Sequence, residues 1–167
     1  MNNIIRILNR NFDFHKMVKN NWNKYINLKY GKFNFRTLLC LPWKKLLGFK
    51  ETHHCNAYLK STFEKVWTKE YDILDETSRY KLRSPYTVNQ YIFKYWQFCE
   101  GEFVPQSNIR KAYRIFDDLE GTCEAIKKQK YKLICLNDSD NGDFEQAKNE
   151  IINAFNEVLA EKSSFEK

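Results

Sequence analysis

The segment that decides the fold reads YKLICLNDSD at residues 131–140. Its apolar residues 133–136 are the strongest strand signal in the chain, and a polar loop follows them directly. Ligands of α/β sheets collect at the carboxyl ends of the strands. Asn137 and Asp138, which follow this strand, are therefore candidate site residues, and the alternative is a polar turn that only caps the next helix.

The clearest helix is predicted directly after this loop, at residues 144–159. Asp143 is its expected N-cap, with Gln146 three residues later as the partner of a capping box. Apolar residues repeat at helical spacing along one face. The predicted face comprises Phe144, Ala147, Ile151, Ala154, Phe155 and Val158.

The rest of the chain is mostly helical in pattern, which predicts an α/β fold that is predominantly helical with two or three strands. A weak strand is expected at residues 112–116. A sheet of only two or three strands is poorly stable by itself. The chain is therefore expected to be the C-terminal part of a larger α/β domain. The predicted helices span residues 12–28, 33–41, 57–70, 86–99 and 118–128. Two of them have an apolar face at helical spacing that is predicted to meet the core. These faces comprise Phe14, Met17, Val18, Trp22, Tyr25 and Ile26 in the first helix, and Val88, Ile92, Tyr95, Trp96 and Cys99 in the fourth.

Composition restricts the class of protein. A chain of 167 residues with 43% hydrophobic and 16% aromatic residues is long enough for one domain with a real core. No apolar run is long enough to span a membrane, and the N-terminus lacks the features of a signal peptide. The five cysteines are scattered without a Cys-x-x-Cys pair, which argues against zinc and disulfides and favours reduced thiols in the cytoplasm.

Charge is unevenly distributed along the chain. Residues 1–70 contain 14 Lys and Arg against 4 Asp and Glu, a net of +10, whereas residues 71–167 have a net of −3. A basic half of this kind attracts nucleic acid, an anionic membrane surface or a phosphorylated substrate. A solvated lysine-rich face is the equally weighted alternative.

Two adjacent histidines, His53 and His54, precede the helix predicted at residues 57–70. A histidine can act as a general base because its pKa lies near neutrality. On their own, two adjacent histidines more often have surface or structural roles. A metal site would need further ligands, and the only other histidine is His15.

A second polar block contains Arg83, followed by Asn89 and Gln90 at the start of the helix predicted at residues 86–99. A guanidinium group is always charged and binds phosphate oxygens through a bidentate fork. From the sequence alone a surface salt bridge remains the better interpretation of Arg83. Gln90, Lys94 and Gln97 share one helical face, which is as compatible with a solvent-exposed stripe as with a site.

In their order and spacing, these blocks resemble the Stealth family of sugar-phosphate transferases. The resemblance lies in His53 before LKSTFEKVW at residues 59–67, in Arg83 before VNQ at 88–90 and YWQ at 95–97, and in Asn137–Asp138. The tail KSSFE at residues 162–166 also matches. Bacterial capsular polysaccharide phosphotransferases are the members that the chain resembles most.

The resemblance implies a reaction and roles for individual residues. A sugar 1-phosphate would move from a nucleotide-sugar donor to a hydroxyl of a growing polysaccharide. His53 would be the catalytic base and Arg83 would contact the donor phosphates. Asn137 would orient the donor or a metal-bound group. Asp138, Asn89 and Gln90 would bind substrate. Mg²⁺ is an expected cofactor because the diphosphate of a nucleotide-sugar donor needs its charge offset, although no metal ligand is predicted.

The blocks that begin full-length Stealth proteins, including a Trp-Val-Asp sequence, do not occur in this chain. The resemblance therefore implies a C-terminal half that is inactive alone and needs its N-terminal half in trans. Residues 1–167 are predicted to form a single domain in a cytoplasmic protein that is a candidate for peripheral contact with the inner membrane. Within that domain we expect a basic helical lead-in at 1–50, a His/Arg block at 51–105 and a strand-Asn-Asp-helix block at 106–167.

Two other classes of function stay open at this stage. One is a basic nucleic-acid-binding module, although no recognised motif occurs and the predicted helices bury their aromatic residues, so no nucleic-acid partner is expected. The other is a non-catalytic fragment that docks on an intact transferase or on an anionic membrane surface through its basic half.

Overall fold

The computed structural model describes residues 2–49, 56–82, 84–107, 109–138 and 142–165. The described residues up to Ser107 form one compact unit, and those from Ile109 onward form a second. Helices dominate, and the two strands of the described chain pair in parallel, which confirms the α/β, predominantly helical class. No helix of the described part combines the length and apolar character needed to cross a bilayer. The single domain over residues 1–167 stays a prediction.

The described elements of the first unit are all helical. A 3₁₀ turn at Leu28–Tyr30 lies between the third and fourth helices. The helices are α1 Asn2–Asn11, α2 Phe14–Asn20, α3 Trp22–Tyr25, α4 Phe33–Cys40, α5 Lys60–Lys69, α6 Tyr71–Arg79 and α7 Tyr91–Cys99.

Helix α7 lies at the centre of the first unit. Its side chains at helical spacing face inward, and Ile92 and Trp96 are fully buried. Phe12 contacts the edge of the Trp96 ring at a centroid distance of 5.0 Å. The indole N–H donates to Glu100 Oε1 at 3.2 Å. The predicted buried face is confirmed for Val88, Ile92, Tyr95, Trp96 and Cys99.

Helices α1 and α6 were not predicted, because each has only a short apolar stripe within a mostly polar sequence. In α1, Ile4, Ile7 and Leu8 are buried between polar residues, and the asparagines among these have a low helix propensity. The buried carboxylate of Glu70, before α6, accepts hydrogen bonds from Arg10 and from Asn11, the latter at 2.7 Å. Tertiary contacts therefore hold both helices in place.

The single helix predicted at residues 12–28 is wrong, since the structure contains two shorter helices there. Asn21 lies between α2 and α3 with a non-helical backbone (φ −137°, ψ 39°), which rotates the following residues off the stripe. Trp22, predicted to face the core, is consequently 64% exposed. Phe14, Met17 and Tyr25 are buried as predicted.

The second unit contains β1 Arg110–Arg114, α8 Leu119–Lys127, β2 Leu133–Asn137 and α9 Phe144–Val158. The two strands are parallel, and their register pairs Arg110 with Leu133 and Arg114 with Asn137. Strand β2 agrees with its prediction. Strand β1 lies two residues earlier than the predicted 112–116, because its polar sequence acquires a register only through pairing with β2.

Helices α8 and α9 pack together against one face of the strand pair. The buried cluster is built around Cys123, Ile126 and Ala154, with Ile134 and Leu136 of β2 against it. Asp143 caps α9 as predicted, since its carboxylate accepts the Gln146 N–H at 3.0 Å. Phe144 and Phe155 remain exposed, contrary to the predicted face, because the described unit covers only part of the α9 stripe.

The N-cap of α2 gives a pH-dependent prediction. Asp13 accepts the Lys16 N–H at 3.0 Å, and this bond lowers the pKa of the Asp13 carboxyl. A lowered folded-state pKa adds stability above the unfolded pKa of about 4, and this stability disappears as pH falls through the folded value. Because asparagine caps a helix nearly as well without a charge, Asp13→Asn should be less stable than wild type at pH 6 but not at pH 2.

The measurement is denaturant unfolding of both proteins between pH 2 and pH 6. Asp117→Asn is the matched control, since Asp117 is exposed and lies outside the helix caps. A stability difference between wild type and Asp13→Asn that stays constant over this range would contradict the assignment.

Candidate functional site

The predicted pair Asn137 and Asp138 lies at the carboxyl end of β2, where both side chains are exposed. The Asn137 carbonyl accepts the Ile115 N–H at 3.0 Å, which extends the pairing of the two strands past β1. The Cys135 thiol lies 3.5 Å from Asn137 Oδ1. The structure thus presents these polar groups at the strand end, as the sequence predicted.

Arg114 lies in register with Asn137 on the neighbouring strand. Ile134 and Leu136 face the helices, so alternation places Asn137, and with it Arg114, on the opposite face of the strand pair. The Arg114 side chain is 77% exposed, and its nearest carboxylate, Asp117, is 3.9 Å away. An exposed pair at this distance is weak, so the guanidinium remains available to an anionic ligand.

Sequence reasoning missed Arg114 because the predicted strand ran from 112 to 116. That prediction placed Arg114 in the middle of a strand, whereas the observed β1 ends at this residue. A cation in the middle of an edge strand has no special meaning, but one at the carboxyl end lies where α/β proteins bind ligands. The signal that could have revealed it was the pair of aspartates at 117 and 118, which begin the next turn and helix.

A shallow cleft of about 530 Å³ runs along β1 in the same unit. Two tyrosines in its wall, Tyr113 and Tyr131, contact each other edge to face at 6.5 Å. Lys111 Nζ lies 5.7 Å from the Tyr113 ring, and burial raises the pKa of the Tyr113 phenol. Asp117, Asp118 and Lys130 also line the cleft. Phenol hydroxyls beside cations suit a ligand that combines hydroxyl and phosphate groups.

Asn89 and Gln90 lie in the first unit, at the start of α7, and both are exposed. Asn89 Oδ1 accepts the Tyr91 N–H at 3.1 Å, so this side chain helps to begin the helix. Gln97, on the face shared with Gln90, accepts the Leu59 N–H at 3.0 Å and donates to the Glu102 carbonyl at 3.0 Å. Gln97 therefore connects segments of the fold, which supports a structural role for it.

His53 and Arg83 lie outside the described residues, and their roles stay predictions. The described site residues are two pairs of sequence neighbours. Asn89 and Gln90 belong to the first unit, and Asn137 and Asp138 belong to the second. The four cysteines of the described chain are free thiols.

The described side chains do not form a metal site of their own. Within the described ranges, no three His, Cys, Asp or Glu side chains come together in a group able to hold a metal ion. Mg²⁺ binding therefore stays a prediction, and no step proposed below depends on it.

Comparisons with known proteins find relatives that are named polysaccharide phosphotransferases. It is 40% identical to a capsular polysaccharide phosphotransferase of Streptococcus pneumoniae over 99% of its length and 50% of that relative. This chain is a homologue of the bacterial polysaccharide phosphotransferases. The resemblance stated from its sequence motifs is thereby confirmed at the level of the family.

Two further relatives carry similar names. A receptor polysaccharide phosphotransferase of Streptococcus gordonii is 33% identical over 90% of this chain and 46% of its own length. An exopolysaccharide phosphotransferase of Lactiplantibacillus plantarum is 27% identical over 99% of this chain and 50% of its own length. The chain thus spans about half the length of the curated relatives it matches. No protein-family model and no solved structure match it.

Proposed function

We propose that this phosphotransferase homologue supplies one half of an enzyme that transfers a sugar 1-phosphate from a nucleotide sugar to a polysaccharide hydroxyl. The observation that carries the proposal is the 40% identity over 99% of the chain to half of a capsular polysaccharide phosphotransferase. Exposed polar and cationic groups at the carboxyl ends of both described strands support it. The proposed place of action is the cytoplasm, on the synthesis of capsular or exported polysaccharide.

The proposed reaction is an in-line displacement at phosphorus. The acceptor hydroxyl oxygen forms a bond to the β-phosphorus of the donor, and the bond from that phosphorus to the bridging oxygen breaks. A nucleoside monophosphate leaves, and the hydroxyl proton passes to the proposed base, His53. Catalysis of this kind depends mainly on positioning and on neutralising the charge of the transferred phosphate.

Residues of the strand ends fit the positioning part of this proposal. Asn137 offers an amide to hydrogen-bond a donor hydroxyl or phosphate oxygen, and Asp138 offers a carboxylate to accept sugar hydroxyls. Arg114, on the face of Asn137, adds a guanidinium whose planar fork matches phosphate. We propose that Arg83 contributes a second cation and that Asn89 and Gln90 bind substrate from the first unit.

Arg114 can be tested within this proposal. Hydrogen bonds to charged groups contribute roughly 1.5–3 kcal/mol, so Arg114→Gln should lower kcat/KM of the active assembly by about 10-fold to 100-fold. Arg110→Gln is the matched control, because Arg110 occupies the same face of β1 at its amino end. Equal losses for the two variants would remove Arg114 from the site.

The function itself is tested by complementation. The 167-residue chain is co-expressed with the half of a curated relative that it does not match, which the Stealth resemblance predicts to be the N-terminal half. The purified complex is then assayed for nucleoside monophosphate release from a panel of nucleotide sugars, with and without EDTA. We expect release from the complex and none from either half alone. Robust turnover by the isolated chain would refute the proposal that both halves are needed for activity. A stable but inactive complex would refute the proposed transferase function.

A further inference from the structure

Helix α4 and the turn after it expose an unusual apolar surface in the first unit. Unlike the other helices of eight or more residues described in that unit, α4 contributes no buried side chain. Asn34, Thr37 and Cys40 form its half-buried stripe, and Cys40 packs against the core. The opposite stripe and the next turn point to solvent. We call this surface the α4 face; it comprises Phe35, Leu38, Leu39 and Trp43, which are 46–65% exposed.

The α4 face is fixed in orientation by contacts on its inner side. Asn34 Nδ2 donates to the Asn27 carbonyl at 2.7 Å, and Asn34 Oδ1 accepts the Asn27 N–H at 3.0 Å. Beyond the helix, the Lys44 carbonyl accepts the Phe14 N–H at 2.9 Å. The apolar residues are therefore held outward by the fold.

The stretch of sequence that contains this face is rich in cations. Residues 14–50 contain nine Lys and Arg and no Asp or Glu. Lys32, Arg36, Lys44 and Lys45 are exposed, and none of them lies in an ion pair with a carboxylate of the described chain. Elsewhere, cations such as Lys65, Lys127 and Lys128 are paired with glutamates. Unpaired positive charge is thus present where the exposed aromatic and leucine side chains lie.

We propose that the α4 face docks the protein on an anionic lipid bilayer. Surfaces that lie in a membrane interface combine Trp, Phe and Leu with surrounding Lys and Arg, because apolar groups enter the acyl boundary while cations meet lipid phosphates. A nucleic-acid surface would need the cations but not an outward leucine pair. The charge complementarity of an acid-free stretch with anionic lipid favours the bilayer over a protein partner.

The docking surface goes beyond the proposed transferase and does not depend on it. The full 167-residue chain is sedimented with phosphatidylcholine vesicles containing 30% phosphatidylglycerol and with pure phosphatidylcholine vesicles, at about 0.1 M salt. We expect strong binding to the anionic vesicles only. Lys44→Gln with Lys45→Gln should weaken it by about 25-fold, since each cation near the surface contributes about fivefold. Phe35→Ser with Leu39→Ser should weaken it at least tenfold, by removing apolar side chains from the interface.

Matched controls separate the α4 face from general charge and hydrophobicity. Lys128→Gln with Lys148→Gln removes two charges from exposed positions of the second unit, and Leu159→Ser with Phe165→Ser removes two exposed apolar side chains there. Both control pairs should bind vesicles like the wild type. Circular dichroism melts confirm that every variant is folded.

Several results would overturn the proposal. The first is a folded wild-type chain that does not bind vesicles. The second is an equal loss of vesicle binding in the α4-face variants and the control variants. The third is DNA binding that depends on Lys44 and Lys45, together with unchanged vesicle binding by the Phe35→Ser, Leu39→Ser variant. A fourth is loss of vesicle binding when the N-terminal segment is bound, because the α4 face would then be a subunit interface. Phosphotransferase activity is not read in this experiment, so its outcome leaves the proposed function untouched.

Discussion

Replacing His53 with alanine in the complemented enzyme is expected to lower turnover by about 10²–10⁴-fold, the usual contribution of a general base. The acceptor hydroxyl is a poor nucleophile while it holds its proton, so loss of the base leaves proton removal to water. Binding of the donor should change little, because the base acts on the acceptor. The expected signature is therefore a fall in kcat with a nearly constant KM for the nucleotide sugar.

Three variants and a pH profile make this prediction specific. His54→Ala tests the adjacent histidine. His15→Ala is a control, because His15 is remote in sequence and its ring contacts the Leu41 carbonyl in the first unit. Only His53→Ala should remove the acidic limb of the kcat/KM profile, because a base must be neutral to accept a proton. An unchanged rate for His53→Ala, or a larger loss for His54→Ala, would transfer the role away from His53.

Replacing Trp96 with alanine should destabilise the first unit by about 3–5 kcal/mol, the usual cost of removing a buried tryptophan. Trp96 is fully buried, contacts Phe12 and donates to Glu100, which also binds Lys65 at 2.8 Å. The substitution leaves a cavity and removes the indole donor from this network. Since domains are stable by only about 5–15 kcal/mol, much of the unit's stability would be lost.

Urea unfolding measures this effect. All four tryptophans lie in the first unit, so the fluorescence of the remaining three still reports its unfolding in the variant. Trp22→Ala is the matched control, because Trp22 is mostly exposed and its loss should change stability by less than about 0.5 kcal/mol. Similar losses for the two variants would contradict the central position of α7.

The proposed transferase function and the proposed docking of the α4 face on a bilayer are compatible with each other. A surface that holds the protein at a bilayer would raise its local concentration there, whereas the strand-end groups are proposed to bind the donor. The two proposals rest on different residues, since the α4 face lies in the first unit and Asn137, Asp138 and Arg114 lie in the second. Vesicle sedimentation and nucleotide release therefore test them separately.

Local patterns were sufficient where one face of an element is covered completely. The α7 stripe was predicted correctly because its residues at helical spacing all meet the core. The Asp143 cap was predictable because it depends only on neighbouring backbone groups. Strand β2 and the position of Asn137 at its end were predictable, because a short apolar run is followed directly by polar residues.

Other features were decided by contacts between distant residues. The end of β1 at Arg114 depends on its register with β2, which a polar edge strand does not encode locally. Helices α1 and α6 depend on Glu70, whose buried carboxylate joins residues about sixty positions apart. The exposure of Trp22 follows from the helix break at Asn21, which helical periodicity does not reveal.

The sequence by itself determined the family, the helical character and the strand-end position of the polar pair, because these depend on ordered motifs and local periodicity. Tertiary structure alone decided which apolar stripes are covered. Apolar residues repeat at helical spacing in both α7 and α9, yet α7 is enclosed by neighbouring helices while Phe144 and Phe155 of α9 reach solvent. Burial depends on which surfaces meet in three dimensions, and a pattern along one element does not contain that information.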